Sequence, residues 1–527
     1  MPTIHYPRPH FSSAQAAAFA GELFGIYGTV SELPGERDLN FRLDAEGGSY
    51  VLKIANREEN RANLELQHAA LAHLAQREPA LGLQRVVPAP SGETIVTVED
   101  AQGHSHLARV LTFLPGKLWA QSRPHSETLL HSLGEVLGSL DRGLADFDHP
   151  AAHRILKWDL VQAGWIGGYL HYLAGEPRRG LVERCLNDFE QRVQPALAGL
   201  RHGVIYNDAN DHNLLVAGEA VTGAIDFGDL CHTVVVAEPA VAAAYAAMGL
   251  RDPLAGICQL VAGYHAAFPL RESELDVLHA LICLRLSVSV TNSAFQKTVE
   301  PGNEYLTISE QPAWDLLAKL AAVPSGLATY AYRAACGYPA HANSPRLHAW
   351  LVGHAAGLGR VVEPELMSAP LIPADWSVSS TELGTPDEMA DVAATTARLW
   401  QGMRAAGAVA AIGAYNEARP VYRSDAFRQP GNDRDGWRTV HLGLDIFLEP
   451  GSAVYAPLDG VVHSFANNDT PYDYGPCIVL EHSVADDQGA IQFFTLYGHL
   501  SNESLAGLAK GQAIRRGDRL GDIGNFP

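Results

Sequence analysis

The stretch YNDANDHNLL, residues 206–215, places two Asp, three Asn and one His within seven positions and then turns apolar. Taken alone, it is typical of a turn, because Asn and Asp side chains hydrogen-bond to their own backbone and tolerate left-handed conformations. The same residue types can carry catalysis when neighbouring strands hold them in place. The residues around the stretch therefore decide between a polar turn and a catalytic loop.

Asp208, Asn213 and Asp226 stand in the order that phosphoryl transfer to an alcohol requires. Asn213 follows Asp208 by five residues, and Asp226 lies in AIDFGD (224–229), after the strand-like segment LLVAGEAVTG. In such a site one carboxylate accepts or orients the hydroxyl proton, while an amide and a second carboxylate hold Mg²⁺ against the nucleotide phosphates. Together the two segments indicate a catalytic loop.

A lysine and a glutamate upstream supply the remaining part of such a site. Lys53 ends the strand-like run YVLK, and Glu65 lies in NLELQHAALAHLAQ (63–76), whose leucines are at helical spacing. A strand lysine held by a helix glutamate places one positive charge on the nucleotide phosphates. Each residue alone is more often a solvated surface residue. The interpretation therefore depends on four elements that occur in order along the chain: the strand with Lys53, the helix with Glu65, the polar loop 206–213 and the segment AIDFGD.

The runs YVLKI, LELQ, LTFLPG, NDANDHNLL and AIDFGD together resemble the aminoglycoside phosphotransferase, choline kinase and hydroxylysine kinase family. The resemblance covers about residues 15–340 and implies an α+β fold of the bilobal, protein-kinase-like type. It implies that Asp208 is the catalytic base and that Asn213 and Asp226 bind Mg²⁺. It also implies that Lys53 with Glu65 holds the nucleotide, and the motifs do not separate ATP from GTP.

The resemblance extends to the rest of the nucleotide site. LPGERDLNF (33–41) is similar to the turn that covers the phosphates, which implies contacts from Arg37 and Asn40, although the segment lacks a full G-x-G-x-x-G. LTFLPG resembles the hinge beside the base and implies a contact from Phe113. The family usually has His two residues before the catalytic Asp, where this chain has Tyr206. We expect Tyr206 to bond to a backbone group, which alters the scaffold without loss of chemistry.

Within the family, the segments GERDLNF, VLKI and NDAND are most similar to hydroxylysine kinase, which implies a small amino alcohol or hydroxy amino acid as acceptor. Such a substrate carries an ammonium, which carboxylates or aromatic faces recognise. Candidates are Asp229, Glu238, Trp158 and Asp159, although a solvated acidic surface explains the carboxylates equally well.

Three alternative functions stay open. They are an aminoglycoside kinase, a zinc peptidase-derived module regulated by the kinase domain, and a pseudokinase scaffold. The motifs do not separate the first from a metabolic kinase, because both substrates are cationic alcohols. The intact set of Lys53, Asp208, Asn213 and Asp226 argues against the last.

Periodicity and composition, which change along the chain, predict four segments. Residues 1–115 read as strands and form the predicted N-lobe, and residues 116–340 read as helices and form the predicted C-lobe. Residues 341–395 are rich in Pro and small residues, which predicts a linker. Residues 396–527 begin with a helix and continue as short strands with Pro and Gly turns, which predicts a small antiparallel β-domain.

The β-domain contains a second set of candidate ligands. In HLGLD, His441 and Asp445 lie four residues apart, on one face of a strand, so both can reach one metal ion, and both suit Zn²⁺. With YAPLDGVV, LEHS and YGHLS, residues 437–527 resemble the lysostaphin-type zinc endopeptidases. That resemblance implies His441 and Asp445 as zinc ligands and His499 as a catalytic partner.

The resemblance also implies that this zinc site is incomplete. In the family the third ligand is the second His of a later H-x-H, and no H-x-H follows YGHLS. We therefore expect no peptidase activity, with zinc bound only if the domain is completed in a longer parent protein. Similar proteins continue into a class III aminotransferase-like domain with pyridoxal phosphate, which could eliminate the phosphate that a kinase adds. A spacer that never bound metal is the alternative.

Composition limits the classes of partner and the compartment expected for the chain. With 38 Lys and Arg against 59 Asp and Glu, the net charge is −21, which disfavours nucleic acid and anionic membranes. The six cysteines include no C-x-x-C, which indicates a reducing compartment. We recognise no signal peptide and no segment of transmembrane length. A cytoplasmic protein acting on a small cationic alcohol is expected, and a homo-oligomer is left open.

Overall fold

The chain divides into two compact units, and each is described by itself. In the computed structural model the first unit comprises residues 1–340 with 431–433, and the second comprises 341–430 with 434–527. The structure describes residues 8–35, 38–299, 310–380, 384–470 and 473–525. Both segments predicted as kinase lobes fall within the first unit.

The N-terminal lobe is an antiparallel sheet flanked by two helices. Its elements are α1 (Ser13–Phe24), β1 (Gly28–Leu33), β2 (Leu39–Ala45), β3 (Gly48–Ile54), α2 (Arg61–Arg77), β4 (Val86–Val87), β5 (Val96–Glu99) and β6 (Ser105–Thr112). The strands run in the order β1-β2-β3-β6-β4, and β5 also pairs with β6. In β2 alternate residues Leu39, Phe41 and Leu43 are buried, because successive side chains of a strand point to opposite faces.

The C-terminal lobe is mostly helical. Its elements are β7 (Lys117–Leu118), α3 (Glu127–Leu144), α4 (Arg179–Asp188), β8 (His202–Ile205), β9 (Leu214–Ala217), β10 (Ala220–Ala224), β11 (Cys231–Val234), α5 (Ala237–Ala246), α6 (Pro253–Ala267), α7 (Glu272–Val299), α8 (Glu310–Ala321) and α9 (Ser325–Ala335). A 3₁₀ segment covers Leu160–Leu173. One face of α3, with Leu129, Leu133 and Leu137, is buried as its helical spacing predicts.

Two short strand pairs place the polar loops of this lobe. β9 pairs with both β10 and β7, and β8 pairs with β11. The loop that contains Asp208 therefore joins β8 to β9, and the loop that contains Asp226 joins β10 to β11. The amide of Ile225 donates to the carbonyl oxygen of Asn213 at 2.9 Å, so the two loops lie side by side.

Helix α7 is the core of the C-terminal lobe. Among the described residues, one helix has the length and the apolar composition needed to cross a membrane, and that helix is α7. However, 89% of its most apolar window is buried inside the protein. The expectation that no segment has transmembrane length is therefore wrong for α7. Charged residues near both ends and Arg285 in the middle divide its apolar run, so the sequence does not display it as one continuous segment.

In the described part of the second unit there are three α-helices and many short strands. Its elements are α10 (Ser344–Gly353), β12 (Leu371–Ala374), α11 (Pro386–Ala390), α12 (Val392–Ala406), β13 (Ala410–Gly413), β14 (Glu417–Ala418), β15 (Arg428–Gln429), β16 (Gly436–Trp437), β17 (Val440–His441), β18 (Asp445–Phe447), β19 (Ala453–Tyr455), β20 (Gly460–Asn468), β21 (Gly475–Asp486), β22 (Gly489–Tyr497), β23 (Ala513–Ile514) and β24 (Arg519–Asp522). Its largest sheet has the antiparallel order β22-β21-β20-β23.

The segment 341–395, which the composition predicts to be a linker, contributes to this second unit. It forms α10 and β12, and β12 pairs in parallel with β13. A four-residue strand that follows Pro370 and contains Pro373 carries almost no periodic signal, which is why composition alone indicates a linker here. The predicted bounds of the four segments stay a prediction.

Candidate active site

Asp208 is held by the amides of its own loop. Its Oδ1 accepts from Asn210 Nδ2 at 2.8 Å, and its Oδ2 accepts from Asn213 Nδ2 at 2.6 Å. Asn207 adopts a left-handed conformation, with φ at 63°, which turns the chain sharply before the catalytic position. Burial raises the pKa of Asp208 well above its usual range, and the nearby carboxylates of Asp229 and Asp226 raise it further.

Asp226 is the second carboxylate, and its environment is the opposite. Its Oδ2 lies 3.2 Å from Lys53 Nζ, and its Oδ1 accepts from the Gly228 amide at 3.2 Å. The positive charge of Lys53 lowers the pKa of Asp226, burial opposes that shift, and Arg109 adds to it. Two neighbouring carboxyls with opposed pKa shifts are suited to different roles, one to exchange a proton and the other to stay ionised.

The oxygen atoms here fit a divalent metal ion such as Mg²⁺. Asp226 supplies an ionised carboxylate whose side chain is 47% exposed. Asn213 lies on the adjacent loop and uses its amide nitrogen for Asp208, so its side-chain oxygen is available as a ligand. Carboxylate and amide oxygens are the ligands that Mg²⁺ and Ca²⁺ prefer in proteins. The predicted metal residues Asn213 and Asp226 are thus brought together.

Lys53 is brought to the site, but Glu65 is not. Lys53 is 7% exposed on β3 and makes its ion pair with Asp226, whereas Glu65 is exposed on the surface of α2. The interior face of α2 presents Gln67 instead, whose Oε1 accepts from Arg109 Nη2 at 2.8 Å. The expected lysine–glutamate pair is therefore replaced by separate Lys53–Asp226 and Arg109–Gln67 contacts.

Arg109 is a site residue that the motif comparison missed. It faces Lys53 directly across the β3–β6 pairing and is 3% exposed. Within the described part of the chain its Nε and Nη1 atoms have no hydrogen-bond partner. A buried arginine in a strand that otherwise reads as apolar, LARVLT, is the sequence signal that could have indicated it.

The remaining nucleotide-site residues lie around the same sheet. Asn40 pairs with Lys53 across β2 and β3, and its Nδ2 donates to the Pro34 carbonyl at 3.4 Å. Phe113 follows β6, and its ring is covered by the guanidinium of Arg42 at 4.3 Å. Arg37 lies outside the described residues. These positions are consistent with the predicted phosphate turn and hinge, and the assignments stay predictions.

Two buried groups brace the catalytic loop from beneath. Tyr206 is fully buried, and its hydroxyl donates to the Ile225 carbonyl at 2.5 Å, which ties the Asp208 loop to the Asp226 loop. The prediction that Tyr206 bonds to a backbone group is thus confirmed. Glu238 is also fully buried and accepts from the Asn207 amide at 2.7 Å. Burial raises the pKa of Glu238 to about 7.

The four candidates for an ammonium-binding residue differ in what the structure offers them. Glu238 supports the loop backbone, and Asp159 caps the 3₁₀ segment while accepting from Thr233 Oγ1 at 2.7 Å. Trp158 already has protein cations over its ring. Asp229 is half-buried, and its charge raises the pKa of Asp208, so the ammonium-binding role of each candidate stays a prediction.

In the second unit, His441 and Asp445 come together, but His441 ends β17 and Asp445 begins β18, so the expectation that they share one face of a single strand is wrong. His441 Nε2 lies 3.6 Å from Asp445 Oδ1, and Asp445 Oδ2 accepts from Arg419 Nη2 at 2.6 Å. Burial lowers the pKa of His499. The charge of Asp445 opposes that shift, and the charge of His441 adds to it. Two ligands fit the beginning of a zinc site. Within the described ranges, no group of three or more His, Cys, Asp or Glu side chains is arranged to hold a metal ion.

Comparison with known proteins agrees with this geometry. Residues 29–271 match the phosphotransferase enzyme family, and the chain is 30% identical over 331 residues to a hydroxylysine kinase of Danio rerio, covering 59% of this chain and 92% of that protein. The chain belongs to the phosphotransferase enzyme family. This confirms the predicted family and its α+β, bilobal fold, and it makes the chain a phosphotransferase.

Two further known proteins are similar to this chain. A homoserine kinase of Hyphomonas neptunium is 29% identical over 293 residues, covering 52% of this chain and 80% of that protein. A solved structure of amicoumacin kinase with AMP-PNP, Ca²⁺ and amicoumacin covers 59% of this chain and 94% of its own, with a TM-score of 0.47 and 14% identity. Residues 439–526 match peptidase family M23, which confirms the predicted lysostaphin-type resemblance.

Proposed function

We propose that this chain is a nucleotide- and metal-dependent kinase that phosphorylates the hydroxyl of a small amino alcohol or hydroxy amino acid. The observation that carries the proposal is the arrangement of the two adjacent loops, in which Asp208 is bound by the Asn213 amide and Asp226 is paired with Lys53. Phosphoryl transfer needs one carboxyl that exchanges a proton and another that remains charged beside a cation. Lys53 and Asn213 complete that requirement.

In this mechanism Asp208 orients the acceptor hydroxyl and takes its proton as the oxygen attacks the terminal phosphorus of the nucleotide. The new oxygen–phosphorus bond forms the phosphate ester, and the bond to the bridging oxygen breaks, so that nucleoside diphosphate leaves with both electrons. Lys53 offsets negative charge on the phosphates. Asn213 and Asp226 would hold the metal ion, which when bound screens the charge of the phosphates.

The pKa of Asp208 fits this sequence of events. In the free protein Asp226 helps to raise it, together with burial and Asp229. Asp226 would hold the cation, and its carboxylate charge would then be offset, which would remove one of the three causes of the shift. Asp208 would then accept a proton more readily than in the free protein.

The relatives support the class of acceptor. Hydroxylysine and homoserine, after which the similar enzymes are named, each carry a hydroxyl, an ammonium and a carboxylate. A half-buried carboxylate beside the catalytic loop, Asp229, suits the ammonium.

We also propose a cytoplasmic location, because all six cysteines, which lie within the described residues, are free thiols. Coupling to a pyridoxal phosphate-dependent lyase stays a prediction.

The test is release of nucleoside diphosphate with a panel of acceptors that includes 5-hydroxylysine, homoserine, ethanolamine and kanamycin. Wild type should turn over a small acceptor, and Asp208→Asn should lose ~10²–10⁴ in kcat. Asp211→Asn is the matched control, since Asp211 lies in the same loop and contacts His212. Equal turnover by wild type and Asp208→Asn would overturn the mechanism, and kanamycin as the best acceptor would overturn the substrate class.

A further inference from the structure

Three polar residues cross the sheet of the N-terminal lobe in one row. Asn40 of β2 pairs with Lys53 of β3, and Lys53 pairs with Arg109 of β6. Residues that pair directly across strands point to the same face of a sheet, so two cations lie side by side there. Both are almost fully buried. Like charges directly opposite each other destabilise a sheet, and a costly arrangement of this kind is typical of a functional site.

Helix α2 presents neutral side chains to these two cations. Glu65 is the acidic residue of α2, and it is exposed on the helix surface. The neighbouring buried positions are Gln67 and His68. Gln67 Oε1 accepts from Arg109 Nη2 at 2.8 Å. Burial, with a smaller contribution from the charge of Arg109, lowers the pKa of His68 to about 4, so His68 is neutral at neutral pH.

The negative charge that Lys53 meets comes from the other lobe. Its Nζ lies 3.2 Å from Asp226 Oδ2, on the loop between β10 and β11. Arg109 has no carboxylate partner within the described ranges, and its Nε and Nη1 atoms make no hydrogen bond there. Two buried cations thus lie beside a single carboxylate. The excess of positive charge is of the kind that nucleotide phosphates would neutralise.

We propose that Arg109 is a positioning residue for the nucleotide and acts through Lys53. The charge of Arg109 repels the Lys53 ammonium from α2 and so directs that ammonium to Asp226 and the phosphates. Gln67 fixes the guanidinium without neutralising it, which an acid at that position would do. A second cation thus takes the place of the glutamate that usually holds the lysine. This inference rests on the proposed kinase function and specifies how the chain holds the nucleotide.

The test compares ADP with Mg²⁺ against adenosine, which lacks the phosphates, by calorimetry, with GDP and guanosine measured in parallel. Arg109→Gln should weaken ADP binding by about tenfold, because Lys53 can then turn to α2, and should leave adenosine binding within about twofold. Arg109→Lys keeps the charge and should bind ADP within about threefold of wild type. Unchanged ADP affinity in Arg109→Gln, an equal loss for ADP and adenosine, or equal losses in the two variants would overturn the inference.

Gln67→Glu provides a second measurement, in which stability and binding should change in opposite directions. A carboxylate at this position would pair with the Arg109 guanidinium, so Tm should stay the same or rise. The same carboxylate offsets the positive charge, so ADP binding should weaken by about tenfold. This variant decides the matter if Arg109→Gln unfolds. Wild-type or tighter binding of ADP by Gln67→Glu would mean that Gln67 only holds α2 in place, and would overturn the inference.

Arg285, in the middle of α7, offers the matched control. It is also buried, and its hydrogen-bond partners are likewise neutral, because its Nη2 donates to Tyr245 Oη at 2.7 Å and its Nη1 to Ser289 Oγ at 3.1 Å. Arg285→Gln should therefore lose stability as Arg109→Gln does and keep its affinity for ADP. An equal loss of ADP affinity in the two variants would reveal a general effect of removing a buried arginine, which would overturn the assignment.

Binding separates this inference from the kinase proposal. If wild type binds ADP but no acceptor releases nucleoside diphosphate, the kinase function fails, and the comparison of ADP with adenosine still decides the role of Arg109. If turnover occurs and Glu65→Gln weakens ADP binding as much as Arg109→Gln does, the kinase function stands and Glu65 is the partner of Lys53, which overturns the inference. Failure of both ADP and GDP to bind wild type would overturn both proposals.

Discussion

Replacing Tyr206 by Phe tests how the two catalytic loops are held together. The substitution removes one hydroxyl, which donates to the Ile225 carbonyl at 2.5 Å, and keeps the ring that packs against Phe227 at 4.9 Å between ring centres. Tyr206 is fully buried, so no solvent replaces the lost donor. Ile225 immediately precedes Asp226, and Tyr206 lies two residues before Asp208, so the bond links the proton acceptor to the metal ligand.

The expected size of the effect follows from that burial. A buried hydrogen bond with one partner deleted typically costs about 1–3 kcal/mol. For a unit of this size, residues 1–340 with 431–433, such a loss lowers Tm by roughly 1–4 °C. We also expect kcat to fall by about tenfold, because even small displacements of catalytic groups lower the rate of the chemical step. Affinity for the nucleotide should change less, since Lys53 and Arg109 are untouched.

The assay is thermal unfolding together with steady-state kinetics on the best acceptor. Tyr332→Phe is the matched control, because Tyr332 is equally buried and its hydroxyl hydrogen-bonds with His279 Nδ1 at 3.1 Å, between α9 and α7. The control should lose stability and keep its kcat. The reasoning is refuted if Tyr206→Phe keeps wild-type kcat, or if both variants lose kcat to the same degree.

Three further substitutions test the remaining parts of the site. Asp226→Ala should weaken nucleotide binding by about 10–100-fold in Mg²⁺ and hardly at all in EDTA, as measured by calorimetry; an equal loss in both would exclude a metal-ligand role. Lys53→Met should lower kcat by about 10²–10³-fold while the protein stays folded, which kinetics and circular dichroism would check. Burial raises the pKa of Glu238 from 4.5 to about 7, so its contribution to stability is present below pH 4.5 and is lost as the pH rises through about 7. The Tm of wild type should therefore fall relative to Glu238→Gln over that range, and parallel curves would contradict it.

Residues close in sequence and joined by one hairpin were predictable. Asp208, Asn213 and Asp226 all lie within the β8–β11 region, where short strands leave few arrangements for the loops between them. Their types also specify their chemistry, because phosphoryl transfer needs two carboxylates and an amide in this order. The structure accordingly brings these three residues together. The loop brace from Tyr206 was predictable for the same reason.

The lysine partner shows where the motif comparison failed. LELQ resembles the family, and Glu65 is its acidic residue, yet Glu65 lies outside the interior stripe of α2, which includes Leu64, Gln67, Leu71 and Leu74. Residues three, seven and ten positions after Leu64 share its face, so the helical period itself favoured Gln67. Glu65 was chosen by residue type, whereas the position of each residue around the helix determines which side chain faces the interior.

Arg109 and Arg285 could not be found from local pattern. Arg109 reaches the site through strand pairing across β3 and β6, and Arg285 lies 77 residues after Asp208 in sequence. Both occur in runs of apolar residues, where a single charge carries no information about the partner it meets. Only tertiary packing determines which side chains each guanidinium meets.

The position of Arg285 on α7 has a consequence for hydrogen exchange. Amides in a helix buried on nearly all sides open only when the whole domain unfolds, so their protection approaches the global free energy of unfolding. The middle of α7, around Arg285, should therefore be among the last segments of the first unit to take up deuterium. Loops such as those that carry Asp208 and Asp226 should exchange sooner, because few buried contacts hold their amides.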